Sequence, residues 1–252
     1  METGVRYLTS TDLNTYTTTK QEQLGALGAT EDGRLYRYVK FGGTSTINPG
    51  LILQGPAAPA NSTGLAITAA GTGGQVTANL QAGSQKLVVT NGATAVTQDE
   101  FQFLEILTNG TLPLYSLKIS THTAAAATTG YITINLKEPL PQNLTQLVPG
   151  TDTVNLVYSK FNGPTASTTG NAPVGLTLNV VPNTASVTNY GWVQTRGHAI
   201  VKATTATIGL GIACDLSGTA GYVIIAAATT GNIGWAKASA VSNNASVELA
   251  ID

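Results

Sequence analysis

The sequence predicts an all-β protein of short-stranded sandwich or barrel domains, a jelly roll among the candidate layouts, behind a largely irregular N-terminal arm. Three observations predict it. Apolar residues recur with a period of two, helix signals are nearly absent, and threonine is the commonest residue. Threonine is β-branched, so its stiff rotamer suits a pleated strand, and its hydroxyl keeps a solvent face wet without charge.

Residues 1–30 are polar, threonine-rich and poor in large apolar groups, which predicts an arm that finds its order on another surface. Its one helix candidate is "STDLNTYTTTKQEQLG", with Ser10 or Thr11 as cap and Gly25 or Gly28 as stop, and its threonines weaken it. Residues 31–55 read as strand, turn, strand. In "LYSLKIS", Tyr115, Leu117 and Ile119 share one face; in "YITINL", so do Ile132, Ile134 and Leu136. "GLTLNV" sets Leu176, Leu178 and Val180 against Thr177 and Asn179, and "SVELAID" ends the chain with Val247, Leu249 and Ile251 on one side. Asn91-Gly92 and Asn109-Gly110 sit between apolar runs and predict two-residue hairpin turns, because both residue types tolerate positive φ. "LYRYVKFGG" (35–43) and "YGWVQTRGH" (190–198) echo each other as aromatic, valine, polar, glycine. That echo suits two strands of one sheet with a domain inserted between them. The expected organisation is an arm at 1–30, a β-domain from 31–55 plus 186–252, and an inserted β-domain at 56–185.

Composition narrows the function classes. The 252 residues are 42% hydrophobic and only 10% charged, with a formal net charge of −1. Soluble domains average ~25% charged residues. Nucleic-acid binding normally needs a basic stripe, which this balance does not supply. No signal-peptide pattern opens the chain, and no apolar run approaches the ~20 residues of a spanning helix, so no membrane partner is expected. Cys214 is the lone cysteine; in the apolar run "IGLGIAC" it reads as a buried, inert thiol.

The search for chemistry is short. His122, His198 and Cys214 are the only imidazole or thiol groups, and none has the spacing of a zinc pair. "GLGIAC" lacks the third glycine of a dinucleotide fingerprint, and "GTGGQV" has no strand–loop–helix context. Asp99 and Glu100 are adjacent, so on a strand they point to opposite faces. No catalytic residue, metal ligand or cofactor is assigned. "NYGWVQTRGHAIVKA" gathers rare residues, and on a regular strand Trp192, Gln194 and Arg196 share one face. They form either a recognition strip anchored by Trp192 or a core tryptophan with a polar neighbour, and the core reading is favoured.

"TEDGRLYRYVKFGGTSTINPGLIL" followed later by "GLTLNVVPNTASVTNYGWVQTRGHAIV" resembles structural proteins of tailed bacteriophages, in the group of capsid decoration or cement proteins. The resemblance lies in the "YRYVKFGG" strand, a "PG" turn and the "YGWVQTRG" strand, and covers about a quarter of the chain. It implies a non-enzymatic protein made in the bacterial cytoplasm and bound to the outer face of an icosahedral head. There it would bridge major capsid protein subunits, typically as a homotrimer. In that setting Tyr7, Leu8, Leu13, Tyr16, Leu24 and Leu27 are scattered anchors of a strap that docks on the capsid or a neighbouring protomer. A tail-fibre or receptor-binding module is the alternative, and a carbohydrate-binding β-protein a third.

Overall fold

The computed structural model describes residues 4–56, 65–107, 115–128, 130–144, 153–166, 172–184, 186–204, 208, 210–217, 219–225, 233–241 and 243–251. It is an all-β protein. Along the chain run β1 (Arg6–Tyr7), α1 (Ser10–Asn14), β2 (Leu27–Ala29), β3 (Leu35–Lys40) and β4 (Ile52–Gln54). Then come β5 (Lys86–Thr90), β6 (Phe101–Leu107), β7 (Tyr115–His122), β8 (Tyr131–Leu136) and β9 (Thr153–Tyr158). The last strands are β10 (Pro173–Leu176), β11 (Tyr190–Lys202), β12 (Ala213–Leu216), β13 (Val223–Ile225), β14 (Gly234–Val241) and β15 (Asn244–Ala250).

Two units divide the chain: Met1–Ala57 with Lys160–Asp252, and Ala58–Ser159. The insertion therefore ends at Ser159 and not at 185. The segment after it belongs to the larger unit because β10 pairs with β4 and β11, and Gln54 and Thr165 exchange backbone hydrogen bonds.

The larger unit holds a ten-stranded sheet in the order β1-β2-β3-β11-β15-β14-β12-β13, with β10 joining β11 to β4. β3 and β11, the two echoing aromatic segments, are antiparallel neighbours, with Trp192 opposite Tyr38 and Val193 opposite Arg37. At its N-terminal half β11 is covered on both faces. Val193 packs with Val39, Phe41, Leu53 and Val174, whereas Trp192 packs with Leu8, Leu13, Tyr36 and Tyr38. Farther along, Ala199 and Val201 join Val247, Leu249, Ile251 and Cys214 in a third cluster.

The N-terminal segment is part of this unit and not a free arm. β1 pairs with β2 in parallel, and Leu8 N–H donates to Ala29 C=O. The helix is a single short turn. Thr9, not Ser10 or Thr11, caps it through a capping box with Asp12, and Thr15 closes it. Its Leu13 and the preceding Leu8 are buried against Trp192 and Tyr36. Tyr16 meets Phe41 edge-on at 5.4 Å, and Leu24 packs on the same aromatic clusters. Leu27 lies half-buried in β2, and only Tyr7, 81% exposed, points outward among the six expected anchors. Sparse anchors suffice because Leu8, Leu13, Tyr16 and Leu24 each join an aromatic-bearing cluster of the chain's own core, which offsets the ordering cost.

The smaller unit is a five-stranded antiparallel sheet in the order β5-β8-β7-β6-β9. Residues 65–67 bridge its two outer strands, Leu65 to Val154 of β9 and Ile67 to Val89 of β5. Both edges are thereby covered, which turns the sheet towards a barrel. The alternating Ile132, Ile134 and Leu136 fill its core with Leu87, Leu104 and Leu156. Asn91-Gly92 does not make a tight hairpin: β5 pairs with β8, and the buried Asn91 amide holds a wider loop through Thr94 and Ala126 carbonyls. Asn109-Gly110 lies outside the described residues. In "GLTLNV" the alternation stops at Leu176, because Thr177 turns inward, accepts from Leu51 N–H and donates to a carbonyl of the 48–51 segment, leaving Val180 exposed.

Candidate functional site

The expected recognition strip is not a surface. Trp192 is 3% exposed and Gln194 only 1%. Trp192 fills the core, and the guanidinium over its ring, 6.0 Å from the centroid, belongs to Arg6 rather than Arg196. Arg6 is held there by Asp12 at 2.7 Å and Glu22 at 2.5 Å. Arg196 is exposed.

What separates the three residues is a β-bulge. The pairing of β11 with β3 slips between Gln194 and Arg196, so two residues of β11 face one step of β3. Gln194 and Thr195 are consecutively buried, and regular alternation resumes only from Arg196. Gly197 follows at φ +90°, and its bare backbone lets the Arg34 stem approach; an added Cβ would lie 2.8 Å from Arg34 Cγ.

The bulge leaves a gap in the sheet. β3 begins at Leu35, opposite Arg196, so it covers no residue of β11 beyond that point. On its other edge β11 stays paired with β15 from Arg196 to Lys202. Lys202 N–H donates to Gly50 C=O at 2.7 Å, away from β15, while Ala203 N–H donates to Asn243 C=O at 2.9 Å. Alternate residues of a strand aim their backbone groups the same way. His198 and Ile200 therefore aim theirs, like Lys202, at the edge that β3 has left. The Gln194 side chain stands in for part of the missing strand: its Nε2 donates to Arg196 C=O at 3.1 Å and His198 C=O at 3.0 Å. Among the described residues no backbone group pairs with the N–H groups of His198 and Ile200.

Over this gap lies a cavity of about 470 Å³. Leu176, Leu178 and Pro49 give it apolar walls, and Arg34, His198 and Lys202 bring cationic or ionisable groups. Arg34 Nε donates to Asp32 at 2.8 Å. The Thr30 hydroxyl and Arg34 together hold the Asp32 carboxyl below its ordinary range. Lys202 forms no ion pair among the described residues. Among the described residues no Trp, Tyr or Phe lines the cavity.

A second feature is the outer face of the same sheet. His198, Glu248 and Trp235 stand in one cross-strand row over β11, β15 and β14, with Ala213 of β12 beside Trp235. Ile200 is 65% exposed and Trp235 52%, and Leu210 and Ile212 lie open near Trp235.

The other polar groups singled out in the sequence hold structure. His122 is buried, its Nδ1 donating to Thr123 C=O at 2.9 Å and its Nε2 accepting from Phe101 N–H at 2.9 Å. Burial pushes its pKa below the ordinary value. Asp99, at φ +57°, accepts from His122 N–H, and Glu100 accepts from Thr97 N–H at 2.7 Å. Burial first, then the nearby Glu100, pushes the Tyr158 hydroxyl up to about 12. Cys214 is fully buried, and that burial raises its thiol pKa. No group of three or more His, Cys, Asp or Glu side chains converges among the described residues. No family model, curated protein or solved structure matches the chain.

Proposed function

We propose that this protein is a non-enzymatic structural component of a tailed-phage virion. In this reading it decorates the outer surface of the head as a homotrimer and bridges major capsid protein subunits. The observation that carries the reading is the outer face of β11, β15 and β14, where the exposed Ile200 and Trp235 stand among Arg196, Lys202 and Glu248. Large exposed apolar side chains set among charged ones favour a partner surface over a small substrate. The sequence resemblance in "YRYVKFGG" and "YGWVQTRG" supplies the class of partner. Four of the described acids have structural roles that agree with it: Asp12, Asp32, Asp99 and Glu100 accept from backbone N–H groups.

Such a ligand stabilises a shell by binding the assembled state and not the free subunit. Three copies on one trimer add through effective concentration, so each contact can be weak. The capsid contact moves accordingly from the N-terminal segment, which is folded into the chain's own core, to the outer sheet face. Immunogold labelling of purified virions tests the location, with gold on the heads expected. Gold confined to tails, or none, overturns the reading. Sedimentation at three times the monomer mass is expected at micromolar concentration; a monomer there removes the trimer.

A further inference from the structure

We propose that the gap in the sheet beside β11 accepts an extended, acidic peptide segment of a partner chain, which adds as a short strand along His198–Ile200. This inference is independent of the virion reading. Addition of a strand to an open edge takes its affinity from main-chain hydrogen bonds and its specificity from the flanking side chains. The edge offers what a backbone needs: the N–H groups of His198 and Ile200 face away from β15 without a described partner. Between the Gln194 amide, which holds His198 C=O, and Gly50, which holds Lys202 N–H and lies against Ile200 C=O, the open run is 198–200, about 10 Å at ~3.3 Å per residue, room for a strand of two or three residues. Beyond them the edge is closed on one side by Leu35 and on the other by Gly50.

Charge selects the occupant. Arg34 and Lys202 bracket the cavity, and His198 lies between them. Of the acids near these groups, Asp32 is engaged by Arg34, and Glu248 pairs in register with His198 on the β15 side. Carboxylate side chains of an incoming strand therefore meet the Arg34 terminal nitrogens and Lys202. A sugar acid is the less favoured ligand, since no aromatic ring among the described residues lines the cavity to stack on a pyranose. Leu176, Leu178 and Pro49 instead suit alternate aliphatic side chains.

The experiment uses the full chain and a fluorescein-labelled hexapeptide of alternating valine and glutamate, capped at both ends, followed by anisotropy. Three comparison peptides carry lysine for glutamate, N-methyl groups on alternate amides, or no label as competitor; glucuronate is a fifth probe. Saturable binding of the glutamate peptide is expected, with about tenfold or greater loss for the lysine and N-methyl peptides. Lys202→Glu should weaken binding by a similar factor without shifting the melting temperature, and Arg34→Gln gives a second reading should that variant fold poorly. Absence of saturable binding overturns the proposal. So does equal binding of the N-methyl peptide, which would reduce the site to charge alone, or displacement by glucuronate as effective as by the unlabelled peptide.

Discussion

Leu13→Ala tests whether the N-terminal segment is core or strap. Leu13 is 7% exposed and sits in the cluster of Leu8, Tyr36, Tyr38 and Trp192. A leucine removed from such a site costs the transfer of its methyl groups plus the cavity left behind, about 2–5 kcal/mol. The surrounding rings belong to β3 and β11, which are fixed by their ladder and close poorly over a hole, so the upper half of that range is expected. For a unit of this size about 2–4 °C of melting temperature is lost per kcal/mol, giving a fall of roughly 7–20 °C. The assay is thermal unfolding followed by tryptophan fluorescence, since Trp192 lies against the new cavity and Trp235 stands in the same sheet. Because the chain has two units, the tryptophan signal is read separately from the far-UV signal, which reports both. Tyr7→Ala is the internal control: its ring is 81% exposed, and a change within about 0.5 kcal/mol is expected. A Leu13→Ala melting temperature within about a degree of the parent would refute the packing argument and return the segment to a strap role.

Three further outcomes follow from the same structure. His122 has a folded pKa below its ordinary 6.5, chiefly through burial, so the unfolded chain binds the proton first. Its contribution is thus fully present above that value and lost as pH falls towards the folded pKa; urea midpoints of the smaller unit should drop between pH 7 and 5, and His122→Gln should flatten that slope. Cys214 should resist a disulfide-exchange reagent in the native state and react fully in urea, and prompt native labelling would contradict its burial. Gln194→Leu keeps the bulk but strips the amide from two edge carbonyls, and a loss of about 1–3 kcal/mol is expected by chemical denaturation; no loss would mean that water replaces the amide at no cost.

The sequence made some elements readable and hid others for physical reasons. A strand with one wet face announces itself, as Ile132, Ile134 and Leu136 do, because burial alternates with the pleat. That β3 and β11 belong to one sheet was legible from the aromatic echo, since both strands present rings to the same cluster; their direct pairing was not. The N-terminal segment's own composition hides its order, because the apolar surface that offsets its ordering cost lies elsewhere in the chain. Its anchors are few, but Leu8, Leu13, Tyr16 and Leu24 pack in clusters whose large rings come from residues 36–41 and 192, far along the chain. The boundary at Ser159 was missed for a similar reason: β10 belongs with β4 and β11 through backbone pairing, which carries no compositional mark.

The gap beside β11 was the least readable feature, and the bulge explains why. Alternation predicts that Trp192, Gln194 and Arg196 share a face, and nothing in those residue types says that an extra residue enters at Thr195. The one local hint is Gly197, which at φ +90° sits where other residues are strained and where the Arg34 stem needs space. A second hint is chemical. A glutamine at a core position needs partners for its amide, and the only backbone carbonyls left without a ladder partner are at a place where the sheet is interrupted. Gln194 finds Arg196 and His198 C=O at such a place. In this long strand a buried amide three residues before a glycine therefore marks an interruption of the ladder, and an interrupted ladder leaves N–H groups that a foreign backbone can take.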